Sequence, residues 1–314
     1  MTRRGLRVFI ISEGDDIGGV AIAIQRAFEK HAPNWTVRSM RGSNNYIDYP
    51  VDLSWDPAQF HEMWAWADVV HAMERTMNLT GLYNPPGKPV LLHHHGQIYR
   101  WNTDAMNALS DAHNLVTICS TIDMEALSPR TKWLPNPVDL DYMQALRAQY
   151  RPDPFRSTLR FVHSPTAFRK EKGTDQWQAA VKAVGGELKL TEGKSWAQAL
   201  AAKATGDVHL DQLFHCYGNS GLEAMGMGLP VVSGGFAEIE AAITKKIGYL
   251  PYQPAMGMVV DAVREMLEPT IRKQVADAGW QYINDYHAQE KVVARLKRFY
   301  TEARDRYDPT EGPW

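Results

Sequence analysis

Residue types able to do chemistry crowd at the ends of apolar runs in three places. The first is His215-Cys-Tyr-Gly218-Asn219-Ser220-Gly221-Leu-Glu223-Ala-Met-Gly-Met-Gly228-Leu-Pro230-Val-Val, a glycine-rich loop entering a helix directly after a strand-length run. The second is Gly14, Gly18 and Gly19 behind the run 6–12, where amides without a neighbouring Cβ can approach a phosphate or a sugar. That spacing is not the G-x-G-x-x-G of dinucleotide sites, and a turn that merely needs glycine explains it as well. The third is His93-His94-His95-Gly96-Gln97. Three adjacent histidines invite a metal reading, but neighbours along a strand point to opposite faces and do not converge on one ion. No metal is expected. Trp64 and Trp66 lie on an expected helix; aromatic rings form sugar platforms, but core packing is the commoner use of such residues.

The elements that must position these residues follow from apolar periodicity. Strand-length runs at 6–12, 36–40, 67–72, 89–94, 115–120 and 131–134 alternate with helical patterns such as 19–30, the signature of a parallel α/β sheet. Prolines 135, 137, 152 and 154 then bracket a short helical stretch, and the alternation restarts at 159–163. Helices are expected at 173–184, 195–204 and 220–227, with strands at 187–190, 207–213 and 230–233. The pattern predicts two Rossmann-like domains, 1–150 and 151–289, with the helical tail from about 290 to 314 packing back on the first. Open sheets of this kind bind ligands beyond the carboxyl ends of their strands, so two such domains are expected to face each other across a cleft.

Size and composition agree: 314 residues exceed one ordinary core, and 44% apolar with 22% charged residues is a globular balance. A formal charge of -2 argues against generic polyanion binding. Cys119 and Cys216 lie far apart in apolar or helix-entry stretches and read as structural thiols of a reducing compartment. The apolar part of the amino terminus is too short for a signal peptide or a membrane span, so a cytoplasmic location is expected.

The glycine-rich loop resembles that of retaining, family-4-type GT-B glycosyltransferases, which reads E-G-x-G-x-x-x-x-E and continues A-M-x-x-G-x-P-V-V. Gly218, Glu223, Ala224, Met225, Gly228, Pro230, Val231 and Val232 fall in register, while His215 stands where the family carries its first glutamate. Phe161 to Thr166 leading to Lys172-Gly173-Thr-Asp175 looks like the family's phosphate-binding segment, with Thr166 in place of its arginine and Arg169 and Lys170 nearby. Leu134-Pro-Asn-Pro-Val-Asp139-Leu looks like the interdomain P-N-x-V-D signature, which favours that role over a metal role for Asp139 and Asp141. Gly234-Gly235 with Glu238 looks like its G-G-x-x-E turn.

The resemblance implies the GT-B fold and transfer of a sugar from a nucleotide-diphosphate sugar, with retention of anomeric configuration and without metal. It implies that Lys172, assisted by Arg169 or Lys170, grips the diphosphate, that amides of Asn219, Ser220 and Gly221 meet the distal phosphate, and that Glu223 holds the ribose, with Gly218 also on the donor side. Gly19 and Thr166 join this donor group. His95 and His215 become the candidates beside the donor sugar, with Gln97, Arg100 and Trp101 on the acceptor side. The acceptor stays open among a glycan, a lipid-linked sugar, a small molecule and a modified DNA base. Two other readings fit the same scaffold: a nucleotide-sugar epimerase, and a non-catalytic sugar-nucleotide binding protein, the latter because of His215 and Thr166.

Overall fold

The computed structural model describes residues 5–12, 17–42, 48–73, 87–150, 152, 157–165, 169–214 and 216–308. The chain divides into two compact units, one of Met1–Tyr46, Pro50–Pro137 and Gln289–Trp314, the other of Ile47–Tyr49 and Val138–Ala288. The passage between them falls at Pro137 and Val138, earlier than the prolines at 152 and 154 suggested. The reason is local: Asp139 accepts the amide of Tyr142 at 3.3 Å and starts the helix Leu140–Gln149. From that helix Gln144 reaches the carbonyl of Gly226 at 2.6 Å, and Arg147 donates to the carbonyls of Ala204 and Gly206.

The first unit holds β1 (Arg7–Ser12), β2 (Thr36–Arg41), β3 (Leu53–Ser54), β4 (Val69–Met73), β5 (Val90–His94), β6 (Val116–Cys119) and β7 (Lys132–Trp133). Their order is β3-β2-β1-β4-β5-β6-β7, and every pairing is parallel. A parallel sheet is covered on both faces, so its strands read as apolar throughout. In β1, Val8 and Ile10 join the cluster under the helices Val20–His31 and Gln289–Arg306, while Phe9 and Ile11 join the cluster with Phe60 and Trp64 of the helix Pro57–Trp66. Trp64 is thus core. Along the last helix Val292, Val293, Leu296, Tyr300 and Ala303 recur at helical spacing, are buried, and fasten it to this unit.

The second unit holds β8 (Arg160–His163), β9 (Glu187–Leu190), β10 (Val208–Leu210), β11 (Val231–Ser233) and β12 (Gln253–Pro254) in the order β12-β11-β10-β8-β9, again parallel. The short edge strands β3 and β12 carry too few residues to register as apolar runs in the sequence. The carboxyl-terminal region is helical as expected but is broken at Ala288, after Pro269–Tyr282 and a wide turn at Ile283–His287. No helix among the described residues is long and apolar enough to cross a membrane.

Close backbone packing explains several glycines. Gly18 and Gly19 sit at φ 63° and 69°, a conformation costly for any other residue, so glycine at both positions is explained without a ligand. A Cβ at Gly234 would lie 1.6 Å from the carbonyl oxygen of Leu213, which belongs to backbone and cannot swing away. Gly234→Ala is therefore expected to destabilise the chain by at least ~2 kcal/mol. Chemical denaturation of the variant checks this, and parental stability would contradict the packing described.

Candidate functional site

In the second unit the polar residues gather beyond the carboxyl ends of β8 and β10. Asp211 directly follows β10 and is buried; its carboxylate accepts the amide of Gly218 at 2.6 Å, while its carbonyl accepts the indole N–H of Trp177 at 2.9 Å. A Cβ at Gly221 would meet Asp211 Oδ2 at 2.6 Å, so glycine is required there for clearance from a carboxylate. Lys172 is half-buried and donates to Gln212 Oε1 at 3.0 Å, and its ammonium would lie 3.6 Å from a Cβ at Gly218. The cation that the sequence singled out thus stands against the glycine-rich turn.

Glu223 lies one turn into the helix Asn219–Gly226 and its side chain is 15% exposed. One carboxylate oxygen receives the ammonium of Lys203 at 2.5 Å, the other the indole N–H of Trp196 at 2.7 Å. Lys203, only 1% exposed, also donates to the carbonyl of Ser220 at 2.9 Å. Lys203, Trp196, Asp211 and Gln212 were not singled out from the sequence. The signal for Lys203 was available: with Trp196, Leu200 and Ala204 it occupies the inward face of a helix begun by the Ser195–Gln198 capping box, a place where lysine is rarely found unpaired.

In the first unit the three histidines separate as alternation requires. His93 and His95 share one side with ring centroids 4.0 Å apart, whereas His94 stacks on Tyr99 at 3.9 Å. A chain of contacts runs from Tyr300 Oη to His71 Nδ1 at 2.8 Å, from His71 Nε2 to His93 Nδ1 at 3.0 Å, and from His93 Nε2 to Ser120 Oγ at 3.0 Å. It continues from Ser120 Oγ to His95 Nδ1 at 2.7 Å and from His95 Nε2 to Met73 Sδ at 3.0 Å. His71, Ser120, Tyr300 and Met73 were likewise not singled out. Their partners come from different elements, and no local pattern pairs them.

Arg169 is exposed and paired with Glu192 at 2.6 Å and with Asp175 at 3.4 Å; Lys170 is exposed. The amide of Gly221 is taken by the carbonyl of Gly218, and Ser220 Oγ contacts His209 Nε2 at 3.2 Å. Asn219 opens the helix, with Gly218 at its N-cap position. Gly96 adopts φ 66° before the short helix Gln97–Trp101. On that helix Arg100 is held by Asp123 at 2.7 Å and Thr121 at 3.0 Å, while Trp101 is 74% exposed. Gly14, Thr166 and His215 lie outside the described residues. Among the described residues no group of three or more His, Cys, Asp or Glu side chains is arranged to hold a metal ion.

Burial governs the imidazoles. Desolvation, with a smaller contribution from neighbouring imidazoles, pushes His71 and His95 down to about 3, and desolvation alone pushes His94 down to about 4. His163 falls to about 4 mainly by burial, and His93 and His209 fall well below the ordinary histidine value for the same reason, His209 being lowered further by the charge of Lys203.

No protein-family model matches the sequence, and a search of curated proteins found no match. Solved structures do match. Sucrose-phosphate synthase from Thermosynechococcus elongatus superposes with a TM-score of 0.65 at 14% identity, over 95% of this chain and 98% of that one. Anabaena HepE, solved with UDP and glucose, gives 0.62 at 12% identity over 95% and 100%. An alpha-glucosyltransferase solved with UDP and a DNA 13-mer containing an A:G mismatch gives 0.64 at 10% identity over 95% and 100%. The fold is therefore GT-B, as the resemblance in the glycine-rich loop implied.

Two expectations follow from the buried charges. An unfolded chain takes up protons below pH ~6.5 on histidines that the folded state keeps neutral, so stability present above that pH is lost as the pH falls towards 4. The loss amounts to about 1 kcal/mol per buried imidazole between pH 6.5 and 5.5, and a flat melting temperature across this interval would contradict the burial. Separately, Lys203→Met leaves Glu223 without its cation and should cost about 3 kcal/mol, most of it regained in the double variant with Glu223→Gln. Equilibrium unfolding of the three variants measures that coupling.

Proposed function

We propose that this chain is a glycosyltransferase that moves a sugar from a nucleotide-diphosphate sugar, with retention of anomeric configuration and without a metal ion. The observation that carries the reading is the placement of Lys172 against the glycine-rich turn 218–221, with Glu223 one helical turn further on. Cleavage of a sugar–diphosphate bond piles negative charge on the leaving group, and a fixed cation beside a helix amino terminus stabilises it. Lys170, exposed on the same segment, adds a positive charge there, whereas the charge of Arg169 is met by Glu192 and Asp175. Glu223 keeps a second lone pair on each oxygen after serving Lys203 and Trp196, enough to accept two ribose hydroxyls. The second unit is the donor side in this reading and the first, with His95, Gln97, Arg100 and Trp101, the acceptor side. Similar folds solved with UDP, HepE and the alpha-glucosyltransferase, support a uridine diphosphate sugar as the first donor to try. The non-catalytic alternative draws on His215 standing where the resembling motif has glutamate.

The test is a thermal-shift screen of nucleotide diphosphates and their sugars, because a ligand of the native state raises the melting temperature with occupancy. UDP-glucose is expected to raise it equally with and without EDTA. Lys172→Ala should weaken UDP by about 1.5–3 kcal/mol, roughly 10- to 100-fold, and leave uridine almost unchanged. Equal affinities in variant and parent would remove the diphosphate assignment, and saturable binding without sugar transfer or hydrolysis would favour the non-catalytic reading.

A further inference from the structure

The contacts that end on His95 have a direction. Met73 Sδ carries no hydrogen and can only accept, so the 3.0 Å contact requires the proton on His95 Nε2. With His95 neutral, its Nδ1 is then an acceptor, and the 2.7 Å contact must be donated by the hydroxyl of Ser120. Having spent its proton, Ser120 Oγ accepts from His93 Nε2–H at 3.0 Å, which leaves His93 Nδ1 to accept from His71 Nε2–H at 3.0 Å. His71 Nδ1 finally accepts from the hydroxyl of Tyr300 at 2.8 Å. The opposite polarity would turn the Nε2 lone pair of His95 onto the lone pairs of Met73 Sδ and forfeit that hydrogen bond.

We infer that Tyr300, His71, His93 and Ser120 form a one-way hydrogen-bond relay that holds His95 as the neutral Nε2–H tautomer, so that His95 acts on a bound ligand as a hydrogen-bond donor and not as a base. All five residues are buried, His71, His93 and Tyr300 fully and His95 to within 6%. Burial removes the charged alternative, since it lowers the three imidazoles and raises the phenol of Tyr300, keeping that phenol a donor. Sulfur is a weak acceptor. The Nε2–H of His95 is therefore held in place by a partner that an oxygen of higher hydrogen-bonding power displaces, and the matching ligand group is a hydroxyl or phosphate oxygen. Tyr300 brings the last helix into this arrangement, and Tyr300, His71, His93 and Ser120 are positioning residues. The tautomer assignment stands on the contact geometry and on burial; its use towards a sugar rests on the function proposed above.

Long-range nitrogen–proton correlation spectra of the nitrogen-15-labelled full chain at neutral pH report the tautomer of every imidazole, with His71, His93 and His95 assigned by their loss in single His→Gln variants. Three neutral Nε2–H rings are expected. An Nδ1–H tautomer or a cation at any of the three overturns the relay, and this readout needs neither ligand nor turnover. Ser120→Ala should let His95 populate both tautomers and, with UDP-glucose as donor, lower kcat about fivefold while leaving the affinity for UDP unchanged. Ser120→Thr, which keeps the hydroxyl, should restore both. A mixed tautomer in Ser120→Ala with undiminished kcat would overturn the role of the relay in the site. Failure of the parent chain to bind UDP-glucose would instead remove the donor reading and leave the spectra to decide the relay.

Discussion

A parallel sheet covered on both faces leaves polar groups few places to stand, and the most open of them is the edge where the strands end. Both sheets of this chain obey that constraint. Asp211 follows β10, Lys172 lies in the segment after β8, Gly234 follows β11, and in the first unit Gly18, His95 and Ser120 follow β1, β5 and β6, with Met73 the last residue of β4. Groups placed there are still largely withdrawn from water, so each must find its partner within the protein. The hydrogen bonding of both candidate regions is a consequence of that requirement.

In the second unit the requirement ties the core to the residues proposed for the donor site through the same side chains. Lys203 is buried and needs a counter-charge; Glu223 supplies it and is held in turn by Trp196. A carboxylate anchored by two donors on its inner side offers its remaining lone pairs in a fixed direction, as the proposed ribose contact requires. Asp211 does the equivalent for the turn itself. By accepting the amide of Gly218 it sets the backbone path into the helix, and at Gly221 a Cβ would collide with its carboxylate.

The first unit meets the requirement with neutral groups. Five polar side chains from the three strands β4, β5 and β6 or their ends and from the last helix pass hydrogen bonds one to the next as far as a sulfur. Because Met73 Sδ offers no proton to His95, the tautomers proposed along the chain of contacts follow from that one contact. The same burial that fixes the tautomers makes the fold sensitive to acid, so local order at His95 and global stability respond to one physical cause.

The sequence by itself determined the parallel α/β class, ten of the strand positions, and the place of the glycine-rich loop between a strand and a helix, because these rest on apolar periodicity and on glycine and proline placement within a few residues. It also separated His94 from its neighbours, since alternation along a strand is a local rule. It did not reveal that Glu223 is shared between Lys203 and Trp196, that Asp139 begins a helix belonging to the second unit, or that His71 and Tyr300, 229 positions apart, touch. Those facts were decided only by tertiary structure. Packing brings together side chains from separate elements, and the proton carried by each imidazole depends on which neighbour packing supplies.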